Sequence, residues 1–293
     1  MIISVINHSE IADAKVQEAL RAINNQIAYD FEPYWSIGAT LRLEGHSAAK
    51  PEKESLRDMR GHAVLYLWSG SDVDDALGYH DTNAGGIPFG FVFTKLAQEL
   101  KEPWQMTLSH EALELIGDPE VNRLVQGPHP SKPEKYVFYW YEMCDAVQDE
   151  GYEIDGVPVS NFVLPLYFTG DDESGGRNDF LGTVDKTTKD TLRSFGINRG
   201  GYVGFFNPDT NDDETVSRRG DKRAQARLKA KQKFRGGRRS ARYQRFRAQT
   251  PKALGGLESR TPQGAGLESI RRPHFVPMPE GVDVLSRGSG RKP

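Results

Sequence analysis

The distribution of large apolar side chains sets the outer limit on what this chain can fold into. Between Ser217 and Gln249 only Leu228, Phe234, Tyr243 and Phe246 are large and apolar, too few to build a core. Any packed domain must therefore come from the residues before this stretch. Charge divides at the same place. From Val216 onward there are 21 Lys+Arg against 5 Asp+Glu, and the preceding residues carry 17 against 36. The net charge of -3 thus averages an acidic part and a strongly basic one. The expected organisation is a folded domain over residues 1–210 and a basic, low-complexity, disordered tail over 211–293, with the boundary at the acidic run 209–214.

Other classes are excluded quickly. A single cysteine, Cys144, rules out an internal disulfide framework and suits a reducing compartment. The opening MIISVINHSE lacks the basic segment, apolar core and cleavage site of a signal peptide. No apolar run approaches the length needed to cross a bilayer. A soluble, cytoplasmic protein without membrane partners is expected.

Hydrophobic periodicity predicts an α/β (α+β) fold with a mixed twisted sheet. Residues 2–6 read as a buried strand. Ser9 can cap a following helix on which Val16, Leu20, Ile23, Ile27 and Phe31 share a face. Residues 39–43 and 62–68 read as strands, 72–75 and 81–86 as polar turns, and 87–94 as an edge strand that tolerates Pro88. Residues 126–135 read as a proline-rich loop, 136–141 as an aromatic strand, and 152–167 as a hairpin turning at Asp155-Gly156. A short helix over 183–193 and a final strand over 201–206 complete the domain.

Residues 104–122, WQMTLSHEALELIGDPEVN, carry the chemistry. A helix is expected from about Met106 to Gly117, with the glycine as left-handed cap and Pro119 enforcing the stop. His110 and Glu114, four residues apart, then project from one face, roughly 6 Å apart along the axis. Glu111 lies beside them. Apart from its last residue this is H-E-x-x-H, the zinc-peptidase helix. Zinc accepts carboxylate oxygen beside imidazole nitrogen. His110 and Glu114 would be ligands, and Glu111 the general base that takes a proton from water acidified by the metal. The bland alternative is a surface helix with a charged face.

The strand-helix-strand-strand-edge strand-helix order with this motif in the second helix resembles the N-terminal half of the zincin metallopeptidases. It is most similar to the metzincins, whose active-site helix also ends at a glycine seven residues after its first histidine. Residues 76–80 followed by 87–93 resemble the loop and substrate-lining edge strand before that helix. The resemblance covers about residues 1–122 and implies zinc-dependent peptide hydrolysis. Metzincins have histidines where this chain has Glu114 and Glu120, and no later histidine is suitably placed, since His129 lies in the proline-rich loop and His274 in the tail. The third ligand must then be a carboxylate: Asp118, Glu142 or Asp145. Gluzincins take a glutamate from a later element, a role that Glu142 matches. The pairing of H-E-x-x-E-x-x-x-D-P (His110, Glu111, Glu114, Asp118, Pro119) with a later E-x-x-D (Glu142, Asp145) also resembles little-characterised bacterial proteins. One histidine with two carboxylates leaves water less acidified and admits divalent ions harder than zinc. A metal-binding protein with feeble catalysis is the competing outcome, and calcium-bound acidic loops a third.

Further side chains have two readings each. His80 would bind a transition state or a second metal, or be a loop histidine bonded to Asp81 or backbone. Tyr152 would donate to an oxyanion. Met143 invites comparison with the methionine turn of metzincins but also reads as a core gap filler. Cys144 lacks a histidine partner and reads as a small buried hydrophobe. In the tail, Arg218, Arg219, Arg223, Arg227, Lys229, Lys231, Lys233, Arg235, Arg238, Arg239 and Arg242, interleaved with aromatics, suit nucleic acid or another polyanion. A solvated linker and an arm folded onto the acidic domain are the alternatives.

Overall fold

A computed structural model describes residues 1–218, apart from 53–59, 73–75, 84, 171–176 and 187. The tail cations from Arg219 onward lie outside the described residues. Arg218 is described, and its guanidinium pairs with Asp185 at 2.7 Å.

The fold is α+β. Its first sheet has the order β2-β1-β3-β5-β4, built from β1 (Ile2–His8), β2 (Thr40–His46), β3 (Ala63–Trp68), β4 (Gly78–Thr82) and β5 (Pro88–Phe93). The first, second, third and fifth strands run parallel, and β4 pairs antiparallel with β5. The near-continuous apolar runs of β1, β3 and β5 follow from burial on both faces. Ile3, Val5, Leu65, Leu67 and Val92 face one core, while Ile6, Val64, Tyr66, Phe89, Phe91 and Phe93 face a second, aromatic one.

Helix α1 (Asp13–Asn25) buries Val16, Leu20 and Ile23 on the first face. A π-helical segment, Gln26–Phe31, leads from it into the short α2 (Glu32–Trp35). After α3 (Thr94–Glu99) comes α4 (Trp104–Gly117), the motif helix, whose residues 107–117 are all buried. It packs against β4, β5 and the later strand β9 (Val157–Ser160).

Beyond α4 the chain forms an antiparallel sheet, β11-β10-β7-β6, from β6 (Leu124–His129), β7 (Lys132–Trp140), β10 (Tyr202–Asn207) and β11 (Asp212–Ser217). A hairpin of β8 (Gly151–Ile154) and β9 (Val157–Ser160) turns at Asp155 (φ 51°) and Gly156 (φ 78°). Two positive-φ residues make the tight primed turn that the Asp-Gly pair predicts.

Several expectations need correction. Residues 87–94 are not at the edge: β5 is internal, and β4, read partly as a turn, is the edge strand. The proline-rich stretch is half of the β6–β7 hairpin, with Pro128 opposite Tyr136 on an edge strand. Prolines are tolerated where no neighbouring strand needs the N–H. Residues 183–193 form no helix among those described. The boundary at 210/211 falls inside the β10–β11 hairpin, where the acidic run forms part of β11. Gly117 is still helical rather than a left-handed cap. A side chain there would meet the flexible end of Met143, with Sδ at 2.6 Å, which would have to shift to admit it.

Candidate metal centre

Three chain segments that are distant in sequence bring their charged side chains together over α4. The helix supplies His110, Glu111 and Glu114; β4 supplies His80; the turn after β7 supplies Glu142, Cys144 and Asp145. Each is buried, none exposing more than 8% of its surface. The helix is fixed from behind by a buried polar network. Ser109 Oγ donates to Gln26 Oε1 at 2.6 Å and accepts from Ser160 N–H at 3.0 Å, and Gln26 Nε2 donates to Ser160 O at 2.7 Å. This fixes the helix's rotation, and with it the direction in which His110 and Glu114, about 100° and 140° further round, project.

The distances within the cluster are informative. His110 Nε2 lies 3.2 Å from Glu114 Oε2 and 3.3 Å from Asp145 Oδ1. His80 Nδ1 lies 3.2 Å from Glu111 Oε2 and 3.6 Å from Glu114 Oε2, and its Nε2 lies 3.6 Å from Glu142 Oε2. Some ion pairs elsewhere close tighter, as in Lys15–Glu18 and Arg218–Asp185 at 2.7 Å, and one, His129–Glu214 at 3.9 Å, is looser. An ion held at about 2.0–2.2 Å by nitrogen and oxygen keeps adjacent ligand atoms roughly 3.0–3.6 Å apart. The cluster's separations fall in that range, and the shorter ones, such as His80 Nδ1 to Glu111 Oε2, are also hydrogen bonds. Two triads bring ligand atoms within 4.8 Å of one another: His110, Glu114 and Cys144; and His80, Glu114 and Glu142. The donor chemistry therefore fits a divalent ion of zinc's class.

Electrostatics agree. Burial alone would lower the His110 pKa, yet it stands well above the ordinary imidazole value because Glu114 and Asp145 favour its charged form. His80 is opposed by burial and raised by Glu142, Glu111 and Glu114. Burial, then Glu114 and Asp145, push the Cys144 thiol far up. The carboxylates thus create a field that collects positive charge, whether protons or a metal ion.

A cavity lined by Leu77, Gly78, Thr107, His110, Glu111, Gln148 and Tyr202 reaches the cluster. Gly78 is needed there. A Cβ would sit 2.8 Å from Phe91 O and 3.0 Å from Glu111 Oε1, so only glycine lets β4 run this close to the helix.

The structure distributes the expected site residues unevenly. His110, Glu111, Glu114, Glu142 and Asp145 meet. His80 joins them through Glu111, rather than bonding Asp81 as a loop histidine. Cys144 is buried as expected but also borders the cluster, and its N–H donates to Glu114 Oε1 at 3.3 Å. Asp118 is engaged elsewhere: its oxygens accept the N–H groups of Asn122 and Arg123 at 3.0 Å and organise the turn after α4. Tyr152 donates to Asp30 at 2.8 Å and accepts from Gln26 at 3.1 Å, in the network behind the helix rather than at the cavity. Sequence reasoning missed Gly78, Gln148 and Tyr202. The one signal was the glycine preceding Tyr79-His80. No protein-family model and no curated protein matches this chain.

Proposed function

We propose that the protein is a metal-dependent hydrolase of peptide bonds, with a zincin-like use of its central helix. The observation that carries the reading is the convergence of His80, His110, Glu114, Glu142 and Asp145 at ion-sharing distances, with Glu111 lining the adjoining cavity. His110 and Glu114 would hold the ion, completed by Glu142, Asp145 or Cys144. Zinc, or another divalent metal, supplies a Lewis acid that polarises a carbonyl and acidifies water. Glu111 takes the proton from the attacking water and delivers it to the leaving nitrogen. His80, 3.2 Å away, orients that carboxylate. The buried single cysteine suits a cytoplasmic setting.

Metal analysis of purified protein tests the first half. Wild type should retain metal through dialysis, and His110→Ala and Glu114→Ala should lose it; unchanged metal in both variants sinks the reading. Glu111→Gln should keep the metal and lose about 10²-fold or more of the activity on an unfolded protein substrate.

The second reading is a metal protein without useful turnover, delivered to nucleic acid or an acidic partner by the tail. The burial of His110 and Glu111, 6% and 4% exposed, favours it. A metal-loaded wild type that cleaves no peptide in a broad pool would select this alternative.

A further inference from the structure

We propose that the cluster takes two divalent cations, bridged by Glu114, rather than one. The inference rests on the metal-centre reading above and goes beyond it. The two candidate triads share Glu114 and nothing else: His110 and Cys144 belong to one, His80 and Glu142 to the other. Glu114 is built for the shared position. Its Oε2 lies 3.2 Å from His110 Nε2 and 3.6 Å from His80 Nδ1, the nitrogen that also meets Glu111, while Oε1 accepts the Cys144 N–H.

His80 points independently to a ligand. Its ring is buried and Nε2 has no hydrogen-bond partner, although that nitrogen is aimed at Glu142 Oε2, 3.6 Å away. That gap is too long for a hydrogen bond and suited to a shared ion. A buried imidazole nitrogen left without a hydrogen bond is costly unless it coordinates.

Charge balance argues the same way. Glu111, Glu114, Glu142 and Asp145 lie within 3.6 Å of the two imidazoles. Imidazoles are neutral when they ligate, so one divalent ion would leave the four carboxylates with two uncompensated negative charges. Buried net charge is expensive in a low-dielectric interior. Two divalent ions match the four carboxylates, a ligating Cys144 thiolate would add one negative charge to that count, and centres of this kind place their ions about 3.5–4 Å apart. The His80 half, with one nitrogen and carboxylate oxygens, suits the harder ion; the His110 half, with Cys144 beside it, suits zinc.

The test strips full-length protein with a chelator and reloads it with Zn²⁺ or Mn²⁺, reading ions per chain by mass spectrometry. Two per chain in wild type and one in His80→Asn support the proposal. One per chain in wild type overturns it while leaving the single-ion hydrolase intact; none overturns both. Two in His80→Asn removes His80 from the site. Should His80→Asn fail to fold, electron paramagnetic resonance of wild type with two equivalents of Mn²⁺ decides. An exchange-coupled spectrum is expected, and two isolated six-line signals would contradict a shared carboxylate.

Discussion

At the scale of single residues, the site depends as much on where a side chain is missing as on where one is present. Gly78→Ala would push its methyl against Phe91 O and Glu111 Oε1, and backbone oxygen cannot move aside as a flexible side chain can. We expect it to cost about 1–3 kcal/mol of stability and to reduce turnover more than metal content, because His110 and Glu114 keep their places. Urea denaturation beside metal analysis separates the two effects; full activity would show that Glu111 tolerates displacement. Protons compete with the metal for both histidines, so zinc should bind more tightly at pH 8 than at pH 6 in a calorimetric titration. Much of this level was legible in the chain. His110, Glu111 and Glu114 follow from helical spacing alone. His80 was a candidate beside a loop-histidine alternative, and it is the packing of β4 on α4 that brings it to Glu111, far along the chain. Asp118 misled for the opposite reason: its place just past the helix suits a ligand, but an aspartate there is equally suited to accept the N–H groups of the next turn.

At the scale of elements, the reading succeeded where burial imposes a period and failed where polar strands sit at edges. β1, β3 and β5 are apolar because both faces are covered. β6 holds Pro128, β11 opens with two aspartates, and β4 reads Gly-Tyr-His-Asp-Thr; each is an edge strand. Edges need fewer apolar residues, and charge or proline protects them from unwanted pairing. The same level explains the end of α4. Gly117→Ala has only the flexible end of Met143 to displace, so it should destabilise the fold less than Gly78→Ala does. Combining it with Met143→Ala should cost less than the sum of the two changes, since the smaller residue clears the overlap. Additive losses in thermal unfolding would mean the contact is not what the glycine serves.

At the scale of the whole molecule, the acidic domain holds together a cluster that is unfavourable in isolation. Removal of metal by a chelator should lower Tm, and restoring zinc at about 1,000 times its Kd should return roughly 4 kcal/mol. A Tm indifferent to chelation would speak against a bound ion. The domain's end also moves. A chain stopped at Arg218 should fold as the full chain does, whereas one stopped at 210 loses β11 and uncovers β10, and should be less soluble. Comparing the full chain with the one ending at Arg218 for salt-sensitive nucleic-acid binding then tests the tail without injuring the fold. Among the described residues no helix is long and apolar enough to cross a membrane. The separation of the ligands along the chain has a further result for biosynthesis. While the ribosome has released the chain only as far as Asn122, His80, His110 and Glu114 are out but Glu142 and Asp145 are still to come. On the function proposed above, a half-made chain lacks a complete site, so metal would load, and hydrolysis begin, only once the turn after β7 has been delivered.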